Sequence, residues 1–148
     1  MSSKFKITLF GIASGLIWSL IAILLHAQFL FSPHASIFVA LLIGGITGVA
    51  VSFSLKAPLT KLGKWGSAIL GLLAFPLGTF IFAFLFALFE MMFGGTIDFN
   101  LSEPFIAGFF TAYLSAIYGF YLFPVAVLTT FILRMVIRSG NNNLSLKH

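Results

Sequence analysis

The feature that most constrains this chain is the absence of charge over long apolar stretches. No Lys, Arg, Asp or Glu occurs from residue 7 to residue 55, and none occurs from residue 65 to residue 89. Only 7% of the residues are charged and 60% are hydrophobic, whereas a soluble domain has about 25% charged residues. Because one domain of 148 residues cannot bury that much apolar surface, these stretches predict a protein whose solvent is lipid.

Charged and turn-forming segments divide the apolar sequence into four predicted spans. The uncharged stretch from 7 to 55 is long enough for two spans of about 20 residues each, and Pro33 in "FSPHAS" marks the turn between them. The lysine-rich segment "KAPLTKLGK" (56–64) supplies the next break, and the polar segment "GGTIDFNLSEP" (94–104) supplies the last. The predicted helices cover about residues 6–29, 35–55, 62–93 and 104–138.

The run "FIFAFLFALFE" at residues 80–90 alternates phenylalanine with other apolar residues. A period of two favours a strand, but an unpaired strand in lipid leaves each backbone polar group without a partner, at a cost of several kcal/mol. We therefore predict a helix. On that helix the rings form two stripes: Phe82, Phe86, Phe89 and Phe93 on one, Phe80 and Phe84 on the other. We expect these rings to face lipid or neighbouring helices; the alternative is a stacking site for a quinone, a carotenoid or another flat lipid.

The basic residues predict the orientation of the spans. In a four-span arrangement all eight Lys and Arg residues fall on one side of the membrane, and all three acidic residues fall on the other. By the positive-inside rule, both termini are then cytoplasmic. The expected fold class is all-α: an integral membrane, antiparallel four-helix transmembrane bundle with N-in/C-in orientation. It forms a single domain (1–138) followed by a polar tail (139–148), and we expect it in the cell membrane, as a bacterial plasma or inner membrane protein.

Small residues recur at every fourth position in each predicted helix. In lipid, helices associate through close backbone approach and dispersion, which small residues permit. We therefore expect a compact bundle with no room for a pore inside one copy. The stripes are Gly11, Gly15 and Ser19; Ala40, Gly44, Gly48 and Ser52; Gly63, Ser67 and Gly71; and Gly108, Ala112 and Ala116.

Two prolines and one polar helix face are the candidate elements of a pathway or a lipid contact. Pro76 and Pro124 lie inside the predicted third and fourth helices, where each removes a backbone hydrogen bond and should kink the helix. Ordinary packing geometry is one interpretation, and a broken-helix binding site or hinge is the other. Thr111, Ser115 and Tyr118 share one helix face. Such hydroxyls either bond to carbonyls of their own helix and its neighbours, or line a pore or lipid pocket.

A second candidate group is the polar set on the predicted outer side. It consists of His26, His34, Glu90, Asp98 and Glu103. Carboxylates with imidazole suit Zn or Mn, but no pair has ligand spacing such as HxxxH. We therefore expect interfacial solvation, with a metal or acid–base site as the alternative.

The absence of other chemical motifs narrows the expected function. No acid or base is expected at mid-depth in any span, which argues against proton-coupled antiport. The chain has no cysteine and no GxSxG, Walker or HExxH motif, so no cofactor or metal is predicted. We expect a non-enzymatic accessory or assembly subunit that acts through helix–helix and lipid contacts. A small oligomeric channel or transporter for a small solute or ion is the alternative, followed by a lipid-modifying membrane enzyme. Expected partners are membrane lipid and either further copies or other membrane subunits, with no nucleic acid.

Overall fold

The uncharged stretches form helices, which satisfy their backbone hydrogen bonds within one segment. The computed structural model describes residues 3–24, 37–93 and 100–145. The predicted turn at 31–36 and most of the polar segment at 94–104 lie outside the described residues. The described part of the chain contains five α-helices and one short 3-10 helix. They are α1 (Ser3–Leu24), α2 (Ile37–Lys61), α3 (Lys64–Phe93), α4 (Ser102–Tyr118), the 3-10 helix (Phe120–Leu122) and α5 (Phe123–Ser145).

Helices α1 and α2 pack backbone against backbone through their small-residue stripes. A Cβ atom added to Gly11 would lie 2.7 Å from the Cα of Val49, and one added to Gly15 would overlap the carbonyl of Gly44. The hydroxyl of Ser19 occupies the space beside Gly44. The prediction that these stripes permit close helix contact is confirmed for this pair of helices.

Helix α2 is longer than its predicted end at residue 55. The helix continues through Pro58 to Lys61, and this additional turn places an apolar side chain in the core. Leu59 is fully buried in a cluster at this end of the molecule, and burying such a side chain is worth about 1.5–3 kcal/mol. The cluster comprises Ile7, Leu55, Leu59, Leu133 and Ile137.

The two predicted phenylalanine stripes on α3 face different neighbours. The Phe80 ring lies 5.1 Å from the Phe109 ring of α4, and the Phe84 ring lies 4.9 Å from that of Phe105, centroid to centroid. On the other stripe, Phe86 is buried beside Ala40 of α2. The run at 80–90 is helical throughout, which confirms the choice of helix over strand.

The single helix predicted over 104–138 is instead two helices. Helix α4 ends at Tyr118, and α5 begins at Phe123, after the 3-10 turn. Gly119 lies at the break, where an added Cβ would be 2.8 Å from the ring of Phe75. Pro124 falls in the first turn of α5, where its missing N–H costs nothing, and Pro76 lies inside an unbroken α3. At the other end of the chain, α5 extends into the predicted tail as far as Ser145.

Within the described residues, four helical segments are long and apolar enough to cross a membrane: α1, α2, α3, and Phe120–Ser139, which joins the 3-10 helix to most of α5. Large apolar side chains are exposed along all of them, as expected of helices whose surroundings are lipid tails. Together with the all-helical architecture, this supports a helix-bundle membrane protein.

The charged side chains of the described residues lie at opposite ends of the helices. Lys6 at the start of α1 donates a hydrogen bond to the hydroxyl of Ser139 near the end of α5, over 3.2 Å. Lys64 begins α3, whereas Glu90 lies in its last turn. Glu103, in the first turn of α4, is next to the second half of α3 through Phe105.

Candidate functional site: a cavity between the helices

A cavity of about 620 Å³ lies between the α1–α2 pair on one side and α3, α4 and α5 on the other. All five helices contribute to its walls. A Cβ added to Gly78 of α3 would meet only the side chain of Val51 of α2, at the ordinary contact distance of 3.8 Å. Small residues therefore close the contact between α1 and α2 but leave a cavity elsewhere in the bundle. The expectation that one copy has no room for a pore stays a prediction, because a cavity is not a path through the membrane.

The side chains that line the cavity are apolar or carry hydroxyls, and among the described residues none that lines it is charged. Its volume falls within the range of about 300–1,000 Å³ found for small-molecule sites. An uncharged, mostly apolar space of this size suits an uncharged, mostly apolar occupant. The hydroxyl-bearing residues in its walls are Ser14, Ser19, Thr47, Ser52, Thr79, Thr111, Ser115, Tyr118, Tyr121, Thr129 and Thr130.

Aromatic rings form part of the wall that joins α1 to α3. The rings of Trp18 and Phe75 have centroids 5.4 Å apart and are tilted by 44°. Phe75 also meets Phe123, at the start of α5, edge to face at 5.8 Å. Because Phe75 fills the space beside Gly119 as well, one ring connects the cavity wall to the break between α4 and α5.

On the α3–α4 side, two hydroxyls form a hydrogen bond within the cavity wall. Thr79 Oγ1 lies 2.8 Å from Ser115 Oγ. Each hydroxyl is also within bonding distance of a carbonyl of its own helix, that of Pro76 for Thr79 and that of Ala112 for Ser115. Two hydroxyl protons serve three contacts, so one contact is always without a donor.

On the α1–α2 side, two hydroxyls lack any partner. Ser19 Oγ and Thr47 Oγ1 are both buried and make no hydrogen bond in the described structure. Other cavity hydroxyls do bond within their own helices: Ser14 donates to Gly11 O over 3.1 Å, and Thr130 donates to Ala126 O over 3.0 Å. Because these two oxygen atoms have almost no accessible surface, they are enclosed in the helix packing and do not form part of the cavity surface.

The structure brings together one of the two residue groups singled out from the sequence. Thr111, Ser115 and Tyr118 all line the cavity, whereas Pro76 and Pro124 are not among its lining residues. Whether Thr111, Ser115 and Tyr118 function in a pathway or lipid contact stays a prediction.

The outer-side polar set is described only in part. His26, His34 and Asp98 lie outside the described residues. Glu90 is half-buried, and one of its carboxylate oxygens has no hydrogen-bond partner in the described structure, while Glu103 is exposed. Among the residues that the structure describes, no group of three His, Cys, Asp or Glu side chains could hold a metal.

One of the eight basic residues assigned from the sequence to the predicted cytoplasmic side is buried. Arg134 is 7% exposed, and its Nε has no partner in the described structure. Its guanidinium donates to Ser67 Oγ over 2.9 Å and to the carbonyl of Leu62 over 2.8 Å. The sequence signal for this burial is that Arg134 lies between two apolar residues of the same helix, Leu133 and Ile137, which are both in the core.

No protein-family model matches the chain, and neither a curated protein nor a solved structure is similar to it at a significant level. The cavity and the charge distribution are therefore the features from which a function can be inferred.

Proposed function

We propose that this chain is a four-span antiparallel bundle of the cell membrane with both ends in the cytoplasm. In this topology α4 and α5 together make the fourth crossing, interrupted at Gly119. The proposal is supported by the separation of charge, with basic residues at the Lys6–Ser139 end and Glu90 and Glu103 at the other. Short loops that contain Lys and Arg remain preferentially on the cytoplasmic side of the membrane.

Cysteine labelling tests this orientation without background, because the chain has no native cysteine. Lys61 and Glu103 are both exposed, so Lys61→Cys and Glu103→Cys form a matched pair. In intact cells a membrane-impermeant maleimide should label the cysteine at position 103. It should label the cysteine at position 61 only after the membrane has been permeabilised. The reverse pattern would invert the topology.

For the function, we propose a non-enzymatic membrane protein that binds an uncharged, lipid-like molecule between its helices. It would act as an accessory or assembly subunit through lipid and helix contacts, either with its own copies or with other membrane subunits. The observation that carries this is the uncharged cavity of about 620 Å³. Hydroxyls and aromatic rings in an apolar site favour binding over acid–base catalysis, which needs groups that exchange protons near neutral pH.

Lipid analysis of the purified protein tests the proposal. The wild-type protein in mild detergent should retain a defined uncharged lipid, detected by native mass spectrometry. Gly78→Phe should place a ring in the cavity, because Gly78 lines it and an added Cβ would meet only the side chain of Val51, and should abolish retention. Gly63→Phe is the matched control, since Gly63 is exposed and faces open space outside the cavity. Equal retention by both variants would contradict the proposal.

A transporter of a small uncharged solute is the second candidate, favoured by the position of the helix break. Tyr118, Gly119 and Tyr121 surround the break and also line the cavity. In transporters, interrupted helices of this kind place binding groups at the substrate site. Solute uptake into proteoliposomes that Tyr118→Phe slows, with the protein still folded, would favour this candidate over the first.

A further inference from the structure

We infer that a groove between α1 and α5 binds one anionic phospholipid, with the lipid phosphate at Lys6 and Ser139 and one acyl chain along the groove. The groove is a space of about 420 Å³ that is open to the surroundings of the protein, and it is lined by Lys6, Leu9, Phe10, Ala13, Val136 and Ser139. Among the described residues only Phe10 lines both this groove and the uncharged cavity. The inference therefore goes beyond the proposed function.

The polar end of the groove consists of two groups that already meet. Lys6 Nζ donates a hydrogen bond to Ser139 Oγ over 3.2 Å, across the gap between the two helices. The ammonium group has more protons than this bond uses, and Ser139 accepts the bond, so its own hydroxyl proton is still available. Both groups can therefore donate to the oxygen atoms of one phosphate.

The charge at this end of the molecule requires an anion from outside the described chain. The acidic residues that the structure describes, Glu90 and Glu103, lie in the last turn of α3 and the first turn of α4, at the opposite end of the bundle. No described carboxylate therefore reaches Lys6, and the exposed Arg138 adds a second positive charge next to Ser139 in the sequence. A phosphate would supply the missing negative charge.

The order of polar and apolar residues along the groove matches a phospholipid. Lys6 is in the first turn of α1, and Ser139 is at the point where α5 turns polar, just before the run "GNNN". From this end, Leu9 and Ala13 follow one and two turns further along the same face of α1. A phospholipid likewise has its charged headgroup at the membrane boundary and its chains in the hydrocarbon.

The width and lining of the groove favour an acyl chain over a partner helix or a soluble anion. A helix with its side chains is about 10–12 Å across, whereas the hydrogen bond between Lys6 and Ser139 spans the groove at its polar end. An acyl chain is a single row of methylene groups, and the small side chain of Ala13 leaves room for it. A soluble anion would leave the apolar lining at Leu9, which is 54% exposed, without an occupant.

Native mass spectrometry of the full chain in mild detergent tests the inference. The two probes are dioleoyl phosphatidylglycerol and dioleoyl phosphatidylcholine, which have the same acyl chains and differ in the charge of the headgroup. The first copy of phosphatidylglycerol should bind more tightly than the first copy of phosphatidylcholine. Lys6→Gln should reduce this preference by roughly 5-fold, corresponding to about 1 kcal/mol for one lysine at an anionic lipid. Ser139→Ala should reduce it by about 2-fold, corresponding to about 0.5 kcal/mol.

Three control variants separate the groove from a general attraction to positive charge. Lys6→Arg keeps the charge and should keep the preference. Lys64→Gln removes an exposed lysine at the start of α3 that does not line the groove, and should leave the affinity of the first bound copy unchanged. Ala13→Phe places a ring in the groove at an exposed position, and should weaken phosphatidylglycerol binding although both polar groups remain. Thermal unfolding in the same detergent checks that each variant is folded.

Several results would overturn the inference: equal affinity for the two lipids, or a preference that survives Lys6→Gln. An equal loss from Lys64→Gln would assign the preference to net positive charge, and phosphatidylglycerol binding that survives Ala13→Phe would assign it to the headgroup alone. If Lys6→Gln does not fold, Ser139→Ala and Ala13→Phe still decide the question. None of the substituted residues lines the cavity, so failure here leaves the proposed function standing.

Discussion

The guanidinium of Arg134, in the middle of α5, donates a hydrogen bond from Nη1 to the hydroxyl of Ser67, in the first turn of α3, over 2.9 Å. Its Nη2 donates to the carbonyl of Leu62, in the two-residue break between α2 and α3, over 2.8 Å. Ser67 in turn donates to the carbonyl of Gly63 over 2.9 Å. A cation beside the carbonyls that end α2 is favoured by the helix dipole. One buried side chain thus holds α5 to the corner between α2 and α3.

The corner contact predicts that Arg134→Lys destabilises the protein although the charge is kept. A lysine has one compact ammonium in place of a planar fork and cannot reach both acceptors with the same geometry. The loss should be about 1–3 kcal/mol, because a buried acceptor remains unpaired. Unfolding in increasing SDS measures it. Arg138→Lys, at an exposed position of the same helix, should change stability by less than about 0.5 kcal/mol. Equal effects of the two variants would show that the corner contact contributes nothing.

The close contact between α1 and α2 predicts opposite effects for alanine at two glycines. Gly15→Ala should destabilise the protein by about 1–3 kcal/mol, because the new methyl group meets the backbone of Gly44 and the helices must separate. Gly78→Ala faces the cavity and meets only Val51, at 3.8 Å; it should stabilise α3 by about 0.5–1 kcal/mol through helix propensity. Thermal unfolding in the same detergent compares the two variants. Destabilisation by Gly78→Ala would mean that the cavity is filled by protein.

The features that could be predicted from sequence are those set by local pattern and by the solvent. A stretch without charge and without polar alternation must be helical in lipid, and the helical period then fixes which rings of 80–90 share a face. The same period aligned Gly11, Gly15 and Ser19 for close contact with α2. These predictions succeed because each depends on residues within one helix.

The features that could not be predicted depend on contacts between distant segments. At the Gly119 break, the space that a side chain would need is occupied by the carbonyl of Ser115, one turn back, and by the ring of Phe75, which comes from another helix. Helix α2 passes Pro58 because Leu59 is buried against Ile7 and α5. Arg134 is buried because acceptors at the corner between α2 and α3 meet it there. A cavity is likewise a property of how helices diverge, which no single-helix pattern encodes.

The hydrogen bond between Thr79 and Ser115 predicts a measurable but small coupling between α3 and α4. In a double-mutant cycle of Thr79→Val and Ser115→Ala, the coupling free energy should be about 0.6 kcal/mol, the average found between membrane helices. The value should be modest because each hydroxyl keeps a carbonyl of its own helix as an alternative acceptor. Pairing Ser115→Ala with Thr129→Val, whose hydroxyl is exposed and bonds to Val125, should give no coupling. Coupling in the control cycle would show that the measured coupling comes from general loosening of the helix bundle and not from the hydrogen bond between Thr79 and Ser115.

The contact between Gly119 and Phe75 predicts that the helix break and the cavity wall respond together. Gly119→Ala places a methyl group 2.5 Å from the carbonyl oxygen of Ser115 and 2.8 Å from the Phe75 ring, so both the local backbone and the ring must shift, at a cost of about 1–3 kcal/mol. Because Phe75 packs against Trp18 at 5.4 Å, the emission of Trp18 in a Trp65→Phe background should shift with the same substitution. Gly63→Ala, at the break between α2 and α3, has nothing within 4 Å of the added atom and should change neither stability nor emission.

A double variant, Gly119→Ala with Phe75→Leu, tests whether the ring is responsible. Its loss of stability should be smaller than the sum of the losses in the two single variants, because leucine leaves free the space that the methyl group needs. Strict additivity would mean that the carbonyl of Ser115, rather than the ring, requires glycine at this position.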